Sequence, residues 1–131
     1  MIQENKQREQ AALLAETARA ALEDKKGLDV EILHVGSQTI VADYFVVATG
    51  SSNTHVRALA DEVEFKIGEA LGIEPRHIEG AGNDTWTLLD YGSVVVHVFT
   101  KEGRAFYKLE RLWSEAAPAQ AEEPGEGQAE D

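Results

Sequence analysis

Few residues in this chain have the types and spacing that chemistry requires. The corner Gly50-Ser51-Ser52-Asn53 lies between an apolar run and a helical pattern, where backbone N–H groups and a helix dipole could cradle a phosphate. Helix capping by the same serines and asparagine explains it equally well, and neither a P-loop lysine nor a complete Gly-rich fingerprint accompanies it. Nucleotidyl or phosphoryl transfer would also need two or three carboxylates on magnesium, commonly an Asp-x-Asp or Asp-x-Glu pair on a strand after such a corner. The pair of that spacing on an expected strand, Asp29-Val30-Glu31, precedes the corner, while Asp43 and Asp90 stand singly. Asp29 and Glu31 read more simply as solvated residues at a strand start.

The four histidines, His34, His55, His77 and His97, lack the i, i+4 spacing of a helical metal pair. Ser51 or Ser52 as nucleophile with His97 as base lacks the strained elbow motif and an orienting acid. No catalytic residue, metal site or cofactor is expected. Trp86 is different in kind. An aromatic anchor on a strand is either core or, if exposed, a binding hot spot.

Composition narrows the classes further. A length of 131 residues suits one domain with a real core. The absence of cysteine excludes disulfides, thiolate zinc sites and thiol nucleophiles, and fits a reducing cytoplasm. No run is apolar and long enough to span a membrane, and the Glu- and Gln-rich start does not resemble a signal peptide, so a soluble, cytoplasmic protein is expected. The net charge is −12; Glu122, Glu123, Glu126, Glu130 and Asp131 carry five of these charges, leaving −7 for the rest. Such a field repels phosphate backbones, so direct nucleic-acid binding is disfavoured and a basic protein partner is the natural complement.

The elements that must position these residues follow from periodicity. Ala11, Leu14, Ala15, Ala18 and Leu22 form an apolar stripe at helical spacing, predicting a helix that ends near Gly27. Residues 29–35 alternate and residues 42–49 are almost continuously apolar, predicting two strands; Gly36-Ser37-Gln38 between them favours an antiparallel pair. Val56, Leu59, Ala60, Val63, Ile67, Ala70 and Leu71 predict the next helix, with Gly72 at its C-terminal cap and Pro75 beyond. A short segment with Ile78, Glu79 and Gly80 leads through Gly82 to a hairpin. Phe106, Leu109, Leu112 and Trp113 mark a last helix. Residues 117–131 have no aliphatic or aromatic side chain beyond Ala and Pro, predicting a disordered acidic tail. The division expected is a helix over 1–27, an α/β domain over 28–116 and the tail. The architecture is a single domain with a mixed β-sheet flanked by helices.

The hairpin carries the most detail. Split about Gly92-Ser93, it predicts strands at 85–91 and 94–99, with Tyr91 against Val94, Leu89 against Val96 and Thr87 against Val98 on one face. Asp90 against Val95, Leu88 against His97 and Trp86 against Phe99 lie on the other. The first face is apolar and should pack on a helix. The second mixes aromatic, charged and histidine side chains, should be only partly covered, and is the candidate functional surface.

Three blocks in order, Asp43 to Ser52, Glu79-Gly80 with Trp86 to Phe99, and Arg104 to Trp113, give the chain a specific resemblance to the Iojap-like ribosomal silencing factor family over residues 28–116. The resemblance implies a nucleotidyltransferase-like α/β fold without transferase activity. It implies a translational repressor that binds the large ribosomal subunit through the basic ribosomal protein L fourteen, blocks joining of the small subunit and lowers translation under nutrient limitation. Trp86 matches the partner-binding tryptophan, with Leu88, Asp90 and Tyr91 in the adjoining motif and Glu79 as an acidic neighbour; alternation puts Tyr91 on the opposite face. Ser93 stands where an acidic residue is common, and some members form homodimers. The rival reading is a metal-dependent nucleotidyl- or phosphoryl-transfer enzyme of the same fold, using the Gly50 to Asn53 corner with Asp43 or Asp90.

Overall fold

The computed structural model describes residues 2–35, 42–80 and 86–107. Helix α1 spans Ile2–Asp24, followed by strands β1 (Leu28–His34) and β2 (Tyr44–Gly50), helix α2 (Asn53–Leu71), strands β3 (His77–Glu79), β4 (Trp86–Asp90) and β5 (Val94–Thr100), and helix α3 (Lys101–Tyr107). The strands form one sheet in the order β1-β2-β5-β4-β3. Only β2 and β5 run parallel; the other neighbours are antiparallel. The expected mixed sheet with flanking helices is therefore present. The turn at Gly36-Ser37-Gln38, Gly82, Thr85, the end of the last helix with Leu109, Leu112 and Trp113, and the tail lie outside the described residues.

Local chemistry accounts for the element ends. The Ser52 hydroxyl accepts the His55 N–H at 3.1 Å and caps α2, whose far end closes on Gly72 in the left-handed conformation. On the exposed side of α1, the Arg19 guanidinium lies 2.7 Å from Glu16 and 2.8 Å from Glu23, and these pairs favour the charged guanidinium.

Parity along the strands decides what is buried. Val46 and Ala48 of β2, Val94, Val96 and Val98 of β5, and Leu89 of β4 share one sheet face. They form the main core with Ala11, Leu14, Ala15, Ala18 and Leu22 of α1 and Val56, Leu59, Ala60, Val63 and Ile67 of α2. Both predicted helical stripes thus reach the interior, although Ala70 at the end of α2 is exposed. Burial of these side chains, at about 25 cal/mol per Å² of apolar area, is what holds α1 and α2 on the sheet.

Candidate protein-docking face

The hairpin pairs in the predicted register, with Trp86 opposite Phe99, Thr87 opposite Val98, Leu88 opposite His97, Leu89 opposite Val96 and Asp90 opposite Val95. The Tyr91 N–H donates to the Val94 carbonyl at 2.9 Å, closing it at Gly92-Ser93. Trp86, Leu88 and Asp90 therefore share the face turned away from α1 and α2. On the neighbouring strand Glu79 lies opposite Leu88 and His77 opposite Asp90, so both join the same face.

This second face is divided. Along β4, Trp86, Leu88 and Asp90 are half-buried, and on β3 His77 and Glu79 are exposed. Along β5, Val95, His97 and Phe99 are buried, so partial cover, expected for the whole face, holds only for its outer half. Phe45 lies edge-on to His97 with centroids 4.8 Å apart, and Phe99 stacks on it at 6.1 Å. The outer half is thus a strip of Trp86 and Leu88 bordered by Glu79, His77 and Asp90, backed by a firm aromatic layer.

Gly80 sets the position of the tryptophan. Its φ is +77°, a conformation L side chains rarely adopt, and a Cβ there would collide with the Trp86 carbonyl and lie 3.0 Å from Cε3 of the indole. The chain after Glu79 therefore runs against Trp86 with no room for a methyl group. Asp90 has a structural task as well, since one carboxylate oxygen accepts the Gly92 N–H at 2.8 Å and holds the hairpin turn. Its second oxygen leaves negative charge at the end of the strip. His77 Nε2 lies 2.6 Å from Glu79, an exposed pair.

Tyr91 is elsewhere. It is buried against the main core on the face carrying α1 and α2, as alternation predicts, and so does not join the strip around Trp86. Burial, with the nearby Glu64 charge adding to it, pushes its phenol well above the ordinary range, and its hydroxyl has no hydrogen-bond partner among the described residues. Among the described residues both ring nitrogens of buried His97 also lack a partner, and desolvation pushes its pKa down to about 4.

The groups considered for phosphate or serine chemistry are engaged differently. The Ser51 N–H donates to His55 Nδ1 at 2.8 Å, with the Ser51 hydroxyl 3.1 Å from the same nitrogen. That nitrogen therefore carries the lone pair, so the Nε2–H donates to the Lys25 carbonyl at 2.9 Å. Gly50 serves packing, because a Cβ there would come within 2.8 Å of the Val56 side chain. The Ser51 N–H is thus engaged by a side chain of α2. His97, suggested as a base for Ser51 or Ser52, lies in the aromatic layer opposite Leu88. Among the described residues no three His, Asp or Glu side chains gather closely enough to hold a metal ion. Asp29 and Glu31 instead meet Arg104, whose guanidinium donates to the Asp29 carbonyl at 2.6 Å and to the Thr49 hydroxyl at 3.0 Å and lies 3.7 Å from Glu31.

Comparison with known proteins decides the family. The family model described as "Ribosomal silencing factor during starvation" matches residues 6–131. The chain belongs to the ribosomal silencing factor family. It is 39% identical over 109 residues to a ribosomal silencing factor of Halalkalibacterium halodurans, covering 83% of this chain and 92% of the relative. To the Bacillus subtilis factor it is 41% identical over 99 residues, covering 76% and 83%. A crystal structure from Chromobacterium violaceum superposes with a TM-score of 0.76 at 39% identity, over 82% of this chain and 89% of that one. Membership of this silencing factor family carries a ribosome-associated silencing role, and the relatives are named as silencing factors. No helix among the described residues is long and apolar enough to cross a membrane.

Proposed function

We propose that the protein silences translation by occupancy: it docks through the Trp86 strip on a basic protein of the large ribosomal subunit, ribosomal protein L fourteen, and blocks joining of the small subunit when nutrients are short. The observation that carries this reading is the convergence of Trp86, Leu88, Glu79 and Asp90 on one accessible strip of a family member with net charge −12. The indole and Leu88 offer apolar contact, and the carboxylates around them favour lysine and arginine on the partner. No bond is made or broken, and the protein works as a cytoplasmic repressor without a cofactor. A mouse relative, 31% identical over 97 residues, is named for mitochondrial assembly of the ribosomal large subunit, which favours the large subunit as the target. A homodimer of the free protein is compatible with the reading.

The test is sedimentation of separated subunits at a magnesium concentration that permits joining, with wild type or Trp86→Ala added. The reading expects wild type to travel with the large subunit and deplete the joined peak, and the variant to do neither. Undiminished joining with wild type in excess would overturn it.

A further inference from the structure

The edge strand β3 has two sides, and only one belongs to the strip. Ile78, between His77 and Glu79, lies opposite Leu89 and faces the helical side of the sheet. There it borders a groove of about 240 Å³ between α2 and the β3–β4 edge, floored by Val56, Ala60, Ile78 and Leu89. That volume suits one large side chain. Ile78 is 38% exposed, an apolar residue left in water at the sheet edge. Asp61 and Glu64, one turn apart on α2, stand on the rim with Arg57, so acid outnumbers base. Among the described residues neither carboxylate is ion-paired.

The strip and the groove are opposite sides of the same two strands. We propose that the groove is the second half of the docking site. The protein partner that covers Trp86 wraps the β3 edge and seats one aliphatic or aromatic side chain on Ile78, with neighbouring lysine or arginine over Asp61 and Glu64. Charge selects this occupant. A nucleic acid would meet the rim carboxylates with its own phosphates, whereas an apolar residue flanked by basic ones satisfies floor and rim together. A grip on both sides of a three-residue edge also fixes the partner's orientation, which a single flat strip leaves free. The inference rests on the docking reading above, and its test separates the two.

Purified large subunits are titrated with wild type, Trp86→Ala, Ile78→Lys and the double variant Asp61→Lys with Glu64→Lys, with melting temperatures measured alongside. The expected result is at least tenfold weaker binding by Ile78→Lys and by the double variant, at unchanged melting temperature. Normal binding by both groove variants, with Trp86→Ala impaired, overturns the groove and leaves the strip standing; normal binding by all the variants overturns both. A photoreactive benzophenone side chain in place of Ile78 then identifies the occupant. An adduct with a ribosomal protein supports the proposal, whereas an adduct with ribosomal RNA or with this chain's own C-terminal residues contradicts it.

Discussion

Replacing His97 by leucine is expected to leave the protein at least as stable at neutral pH and to flatten its response to acid. The imidazole is 8% exposed, lies against Phe45 and Phe99, and has no partner among the described residues for either ring nitrogen. An unpartnered buried polar group costs about 1–3 kcal/mol, a cost a leucine of similar size does not incur. Burial holds the folded-state pKa near 4 against an ordinary 6.5, so the unfolded chain binds more protons between these values. Stability from this group is therefore complete above pH 6.5 and is lost as pH falls toward 4. Each pKa unit is worth about 1.4 kcal/mol, so His97 accounts for a loss of about 1.4 kcal/mol by pH 5.5 and about 3 kcal/mol by pH 4. Urea denaturation of both proteins at pH 7.5 and 5.5 keeps clear of the isoelectric point near 4.7, and the carboxylates common to both cancel in the difference. Equal acid sensitivity in wild type and His97→Leu would refute the reasoning. So would a variant several kcal/mol less stable at pH 7.5.

Other substitutions test neighbouring parts of the account. Tyr91→Phe removes a buried hydroxyl with no partner among the described residues, so its urea midpoint should match or exceed wild type and its binding to large subunits should be unchanged. Gly80→Ala forces the chain off Trp86; a loss of about 1–3 kcal/mol in urea denaturation, with weakened binding to large subunits, is expected. Arg104→Met strands the Asp29 carbonyl and the Thr49 hydroxyl that the guanidinium bonds, and should cost about 1–3 kcal/mol by the same measurement.

Much of this geometry was legible in the sequence wherever it depends on near neighbours. A two-residue turn and strict alternation fix a hairpin register, so the pairs from Trp86–Phe99 to Asp90–Val95 and the inward side of Tyr91 could be read directly. The stripe from Ala11 to Leu22 and the cap at Gly72 were readable for the same local reason. The task of Asp90 at the turn has a local signal too, an Asp two residues before a Gly. What could not be read depends on distant contacts. Burial of His97 and Phe99 is set by what covers the second face, and alternation reports only which face a residue occupies. The His55 bond to Lys25 spans 30 residues and the Arg104 bond to Asp29 spans 75, and neither has a local signature. Both bonds hold a connection in which Lys26 and Asp29 adopt positive φ, again without glycine to announce it. The division of the second face into an open strip and a closed aromatic layer comes from the same long-range packing.

In the proposed docking mode Trp86 anchors the protein on the large ribosomal subunit. Equilibrium titration of purified large subunits with wild type, Trp86→Ala and Leu13→Ala tests it most directly, Leu13 being an exposed apolar residue on α1, away from the strip. Truncating an aromatic anchor costs about 2 kcal/mol or more, so Trp86→Ala should bind about thirtyfold more weakly while Leu13→Ala binds as wild type does. Wild-type affinity in a folded Trp86→Ala would contradict the account.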